Sequence, residues 1–381
     1  MIDKSHIKYY KKIKDIPTVD ITDFKLKEIY DQRNKFYLKL GITKSDFNNK
    51  SVLELCPGTG YNAFYLLKQC SVKKIKLVDY NLFSIKKLKK NLSNFNNVKI
   101  VNRDVEKFNT EEKFDYVIIE NALDNLSIRL ANLTFKKIIK FTKKDGKIIL
   151  TITNKYASLS NKLRYLYSAL LIKDNSLSSF QDRKKFLSKI FSTHLKYLSK
   201  KTRTSEKWVL DNILNETYMS KTEFFDYSDF KSKLKNIVIL KNSPSFHTDY
   251  TWYKNMNIKK DNDYIIKKYD EEYLNYLDFE TRFSKYNIKL KSSLKNIMKL
   301  ITDIDFDKEI NLKKLIKIKS ELIFISTELN KLSYNNKVSN ALQELSKIVN
   351  DFILKKPVKK KTTYLSKLWS TYSINVVLAK I

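Results

Sequence analysis

Val52-Leu53-Glu54-Leu55-Cys56-Pro57-Gly58-Thr59-Gly60-Tyr61-Asn62 is the stretch on which the fold is decided. A short apolar run enters a tight turn and gives way to a helical pattern, and open α/β sheets hold nucleotide-like ligands at such strand-to-helix turns. The chain has 381 residues and only four glycines, and Gly58 and Gly60 both fall in this turn. Glycine used so sparingly points to backbone geometry that a side chain would block.

The same rhythm continues outward. Apolar runs predict strands over 52–55, 74–78, 98–101, 116–119 and 147–152, with helices over 61–69, 81–92 and 129–141 and a turn at Asp145-Gly146. Crossovers of this length suit parallel pairing, so an α/β, doubly wound sheet is expected. A sixth strand is predicted over 236–240. The closing run Ile374-Asn375-Val376-Val377-Leu378-Ala379 reads as a buried strand that returns to the sheet, making seven.

Around this core the pattern is helical. Residues 21–40 space Phe24, Leu26, Ile29, Phe36 and Leu40 as one helical face, with Gly41 placed to end it, so 1–49 reads as an N-terminal flank or lid. Residues 155–235 are mostly helical. The stretch 258–356 contains neither Gly nor Pro, and it predicts long helices through Leu312, Leu315, Ile316 and Ile318 and through Leu342, Leu345, Ile348 and Val349. Polar breaks between them suggest antiparallel packing. The expected domains are the flank 1–49, a sheet domain of 50–255 with 365–381 that includes acceptor-side helices 155–235, and a helical insertion at 256–364.

Composition narrows the function classes. The apolar fraction of 42% suits a folded globular chain, and no apolar run of about 18 residues predicts a membrane span. The opening Met1-Ile2-Asp3-Lys4-Ser5-His6 lacks the apolar stretch of a signal peptide, so a cytoplasmic protein is expected. Cys56 and Cys70 are the only cysteines, which indicates neither a disulfide scaffold nor a thiolate metal site; no metal is expected. The formal net charge of +34 invites a nucleic-acid reading. Only seven of the 75 basic residues are arginine, however, and the lysines are spread along the chain, as on a solvated surface. An anionic small substrate or a membrane surface fits the charge equally well.

Three acids sharpen the ligand. Gly58-Thr59-Gly60-Tyr61-Asn62-Ala63 matches the dinucleotide pattern G-x-G-x-x-A, yet Glu54 lies four positions before Gly58 inside an apolar strand. Burying it costs several kcal/mol unless a charged or strongly donating group meets it. A pyrophosphate there would be repelled, whereas an ammonium group would be held, directly or through water. Asp79 ends the second strand, where it can accept both hydroxyl protons of a ribose, and Asp104 follows the third, where it can take the amino proton of adenine. A cationic end, a ribose and an adenine together describe S-adenosylmethionine.

On these residues the chain resembles the class I S-adenosylmethionine-dependent methyltransferases, whose first motif is E/D-x-G-x-G-x-G. Glu54 to Gly60 matches it with Cys56 in place of the first glycine. The resemblance covers roughly 50–153 and implies a Rossmann-like methyltransferase sheet with S-adenosylmethionine as cofactor. It implies cofactor contacts from Glu54, Cys56, Gly58, Gly60, Asn62, Asp79, Tyr80, Asp104 and Val105, with Glu120 and Asn121 in the loop facing the methyl group.

Acceptor-side candidates lie further on. In Arg203-Thr204-Ser205-Glu206-Lys207-Trp208, Thr204 or Ser205 can cap a helix, with Arg203 at its entrance for an anionic acceptor. In Ser243-Pro244-Ser245-Phe246-His247-Thr248-Asp249, His247 can serve as a base oriented by Asp249 or a backbone carbonyl. Arg203-Thr204, Trp208-Val209-Leu210-Asp211, Leu214-Asn215, Ser243-Pro244 and Asp249-Tyr250-Thr251-Trp252-Tyr253-Lys254, with 364–378, resemble a group of bacterial methyltransferases of cell-surface or flagellar glycan biosynthesis. The expected function is methyl transfer to a small molecule or sugar/glycan precursor, with an oligomer possible through the insertion. The alternatives are an RNA methyltransferase and a non-catalytic assembly protein that retains the fold.

Overall fold

The computed structural model describes residues 5–198, 203–230, 234, 236–244, 262–278, 288–332, 336–370 and 373–381. The chain forms two compact units. The first comprises Met1–Thr153, Phe224–Asp270 and Ser373–Ile381, and the second Asn154–Glu223 and Glu271–Tyr372.

The first unit is built on a seven-stranded sheet. Its strands are β1 (Ser51–Leu55), β2 (Lys74–Asp79), β3 (Val98–Asn102), β4 (Phe114–Ile119), β5 (Thr142–Thr153), β6 (Ile237–Ser243) and β7 (Ser373–Lys380). They lie in the order β3-β2-β1-β4-β5-β7-β6. The pairs among β1 to β5 are parallel, and β7 runs antiparallel between β5 and β6. This is the Rossmann-like methyltransferase sheet, with the last strand returning to it as its apolar sequence predicts. β1 is central and buried along its whole length, which explains why it reads as a continuous apolar run interrupted only by Glu54.

One local expectation changes. Instead of a turn at Asp145-Gly146, β5 begins directly where the helix Ile128–Phe141 stops. Asp145 takes a left-handed φ of +61° inside that strand, and the β4–β5 register shifts between Phe114 and Tyr116. The extra residues are absorbed as a bulge, the normal way for a strand to carry turn-forming residues.

The second unit is helical, and in it 154–223 clusters with 271–372. The reason lies in the helix Leu159–Asp174, in which every residue from 159 to 172 is buried. Tyr165 stacks on Phe306 with ring centroids 4.5 Å apart and donates to the Ile304 carbonyl at 2.8 Å. Arg164 lies 4.0 Å over the Trp369 ring and donates to the carbonyls of Leu365 and Leu368. Further along, the helices Leu312–Leu332 and Lys337–Ile353 flank the polar break as predicted. Ser326 meets Ser339, and Lys319 meets Asn350, which fixes them antiparallel.

Lys162 gives this unit a pH signature. Its ammonium is buried among the carbonyls of Met219 and Lys221, without a carboxylate partner among the described residues, and burial pushes its pKa down to about 7 from an ordinary 10.5. Between those values the unfolded chain binds a proton that the folded protein does not, so stability rises with pH. The expected slope from pH 7 to 9.5 is about 1.4 kcal/mol per pH unit at most. Urea melts of the wild type and of Lys162→Met across that range should show the slope only in the former.

Candidate active site

The turn after β1 has the conformation its glycines foretell. Gly58 and Gly60 have φ of +59° and +82°, in the left-handed region where a Cβ is strained. A Cβ on Gly60 would also lie 2.7 Å from Leu88. Cys56 occupies the left-handed region as well, at φ +55°, so it holds the place of the missing first glycine with the same backbone, at a cost of about 1–2 kcal/mol. Burial, then the charges of Asp79, Asp104 and Glu54, push its thiol well above the usual range. A neutral thiol in that field is a poor nucleophile, which makes Cys56 a packing residue. Gly60 begins the helix Tyr61–Gln69, its carbonyl accepting from Phe64 N at 2.8 Å.

The N-terminal flank lies directly on this turn. Thr59 donates to the Val19 carbonyl, Asn91 donates to the Thr59 carbonyl at 2.9 Å, and Thr18 packs against Gly58. Asp20 ties the flank down further through Lys87 and Asn91.

Glu54 is 3% exposed, and its Oε2 has no hydrogen-bond partner. Burial first, and then the charge of Glu120, push its carboxyl up to about 8; Arg33 and Asn62 pull in the other direction without reversing the shift. At neutral pH Glu54 therefore holds its proton unless a cation arrives. Beside it, Arg33 of the helix Leu26–Lys39 forms a forked ion pair with Glu120 at the end of β4, at 2.9 and 2.7 Å. The same guanidinium donates to Tyr37 Oη at 3.1 Å and to Asn62 Oδ1, which also accepts from Tyr37. Burial disfavours the Arg33 charge, but Glu120 and Tyr37 outweigh it and hold the group ionised.

Asp79 sits at the tip of β2, buried, accepting from Asn81 N at 2.9 Å and from Ser84 Oγ at 2.7 Å. Burial raises its pKa, and these bonds offset part of that rise. Hydrogen bonds from the backbone of Gly58 and Tyr80 also favour its charged form. Ser84 Oγ, with one hydrogen to share, also lies within hydrogen-bonding distance of the Gly58 carbonyl, which sets Asp79 beside the turn. Tyr80 follows, half-buried. Asp104 accepts from Glu106 N at 3.0 Å just after β3, with Val105 buried behind it. Asn121 has a φ of +49° and is exposed.

The cofactor-side residues predicted from sequence thus lie at the C-terminal ends of β1, β2, β3 and β4, where an open α/β sheet places its ligand. Arg33, Tyr37 and Ser84 were not among them. On the acceptor side, His247 and Asp249 lie outside the described residues. Arg203 stands before the helix Ser205–Asn212, which Thr204 caps, and its guanidinium is ion-paired with Asp211. It is engaged by its own helix and is not a bare anion receptor. No group of three or more metal-ligating side chains occurs among the described residues.

Comparison with known proteins agrees with the fold. The family described as "Methyltransferase domain" matches residues 46–205, which contain the turn and the acids after β1 to β4. The chain is similar to the N-methyltransferase NodS from Bradyrhizobium japonicum WM9 with S-adenosyl-L-homocysteine, 17% identical over 33% of this chain and 61% of that one, TM-score 0.28. It also resembles the glycopeptide N-methyltransferase MtfA with the same ligand (17% identity, 32% and 52% of the chains, TM-score 0.28) and DhpI with the same ligand (17% identity, 32% and 56%, TM-score 0.28). The chain thus spans between about half and three-fifths of these proteins, and at this similarity they assign neither activity nor substrate. No curated protein matches the sequence.

Proposed function

We propose that the chain is an S-adenosylmethionine-dependent methyltransferase acting on a small molecule or a sugar/glycan precursor by direct in-line transfer. The observation that carries this reading is the unpartnered, buried Glu54 oxygen at the end of β1, a receptor for an ammonium group beside a glycine turn. In this reading Glu54 holds the methionine amino end, Asp79 the ribose hydroxyls, and Asp104 with Val105 the adenine. Bound there, the cofactor supplies a sulfonium methyl group already activated for attack, so the protein's work is positioning the acceptor and excluding water. The match of residues 46–205 to a methyltransferase domain supports the same assignment.

The acceptor class rests on the resemblance of segments within 203–215 and 243–254, with 364–378, to glycan-linked methyltransferases, with His247 as the proposed base, Asp249 or a backbone carbonyl orienting it, and Arg203 meeting an anionic acceptor by sharing its guanidinium with Asp211. The scarcity of arginine favours a small acceptor over RNA. The test is incubation with methyl-labelled cofactor and cell extract, followed by separation into RNA, protein and small-molecule or carbohydrate fractions. Label is expected in the last. Label in RNA would overturn the acceptor, and a folded protein that fails to bind the cofactor by calorimetry would overturn the whole reading.

A further inference from the structure

Within the second unit, Lys355-Lys356-Pro357-Val358-Lys359-Lys360-Lys361 places lysine at five of seven positions, between the helix Lys337–Ile353 and the short helix Tyr364–Lys367. All five lysines are exposed, and none makes an ion pair among the described residues. The main chain of this strap, in contrast, is firmly held. Val358 is buried and its N donates to Asp174 at 3.2 Å, and Tyr167 donates to the Lys359 carbonyl at 2.6 Å. Glu344 accepts from the backbone N of Thr363, Tyr364 and Leu365 at 2.6–2.9 Å. Asp174 and Glu344 thus accept from the main chain of the strap and of the helix that follows it, while the five lysine side chains are exposed.

The strap runs beside the helix Phe180–His194. Lys360 lies over Phe186 at 5.6 Å, Thr362 meets His194, and beyond the strap Lys367 lies over Tyr197 at 5.7 Å. Apolar side chains are exposed at its flanks: Leu354 is 56% exposed and Tyr364 46%. Aliphatic and tyrosine side chains beside a dense lysine cluster suit the boundary between headgroups and acyl chains, and lysine clusters of this size bind anionic bilayers. Base reading would call for arginine or amide side chains, and the strap has none.

We propose that this strap is a docking surface for an anionic lipid bilayer, holding the protein peripherally at a membrane. No helix among the described residues is long and apolar enough to cross one. Attachment of this kind is reversible and weakens with salt.

The test is flotation of the full-length protein with vesicles of phosphatidylcholine alone or with a third phosphatidylglycerol, at 0.1 M salt. Because the whole chain is cationic, the comparison is between two variants of equal charge change. One carries glutamine at Lys355, Lys356, Lys359, Lys360 and Lys361; the other carries it at Lys73, Lys86, Lys89, Lys90 and Lys99, which are exposed in the first unit. The strap variant is expected to lose binding to anionic vesicles at least tenfold more than the control, while its thermal melt stays unchanged. Leu354→Ser is expected to weaken binding further. Equal loss in both variants would overturn the proposal, as would undiminished binding to neutral vesicles, or RNA retention that depends on the strap while vesicles do not bind.

Discussion

Glu54→Gln is expected to weaken S-adenosylmethionine binding about a hundredfold at pH 8, the effect of removing one member of a buried charge pair. The variant should also erase the pH dependence of binding between pH 6 and 8. In the free protein burial holds the Glu54 carboxyl near 8, so below that pH it must give up a proton before it can receive an ammonium group. Affinity of the wild type should therefore rise about tenfold per pH unit from 6 towards 8. Above about 8 the ligand's own amino group begins to lose its proton, and affinity should fall again. Calorimetry in buffers of different ionisation enthalpy should detect the proton released on binding at pH 7.

The same substitution should stabilise the free protein. A carboxyl raised from 4.5 to about 8 keeps a proton in the folded state that the unfolded chain has released, so its contribution to stability falls as pH rises through that window. Glu54→Gln should be flat where the wild type declines, and at pH 8 should melt higher. A variant that binds the cofactor normally would remove Glu54 from the site, and one that binds poorly but also melts lower would show that Glu54 serves the core instead.

How much of this is legible in the sequence depends on how local the cause is. β1, its turn and the following helix are fixed by neighbours: an apolar run, two glycines that take positive φ, and a helical pattern starting at Tyr61. Glu54 stands out because an acid breaks a buried run. Asp79 and Asp104 stand out because the first closes a strand and the second follows one. The return of β7 could be read because its apolar run is too long and too β-branched for a solvated tail.

What was missed depends on distant pairing. Arg33 meets Glu120 across 87 positions, and no local rule joins them. A signal was nevertheless present. Ile29, Arg33 and Tyr37 follow at intervals of four on the buried face of one helix, so a scarce arginine occupies an apolar stripe. Lys162 and Arg164 repeat the pattern inside the helix Leu159–Asp174, buried from 159 to 172. A helix whose charged residues are themselves buried must be enclosed by other elements, and the carbonyls that satisfy Arg164 come from Leu365 and Leu368, some two hundred residues away.

Arg33→Met is expected to destabilise the first unit by about 3–5 kcal/mol, the cost of leaving a buried carboxylate without its cation. The guanidinium and Glu120 side chains are 9% and 13% exposed, so water cannot replace the lost bonds. Glu120 also acts on Glu54, whose carboxyl it pushes up, and Arg33 pulls that carboxyl the other way. Without the guanidinium, Glu120 is left with no cation, and the pull that lowers the Glu54 carboxyl is gone. The penalty should therefore grow as pH rises from 5 to 8, since deprotonation then favours the unfolded chain. Adding Glu120→Gln removes the stranded charge, and the double variant should recover more than half of the loss, although Tyr37 and Asn62 still lack the donor they share. Urea melts of the wild type, both single variants and the double variant at pH 5 and pH 8 measure the coupling directly. A single-variant cost below about 1 kcal/mol would place the pair in the class of solvated surface bridges. A double variant no more stable than Arg33→Met would show that the arginine acts through Tyr37 and Asn62 and not through Glu120.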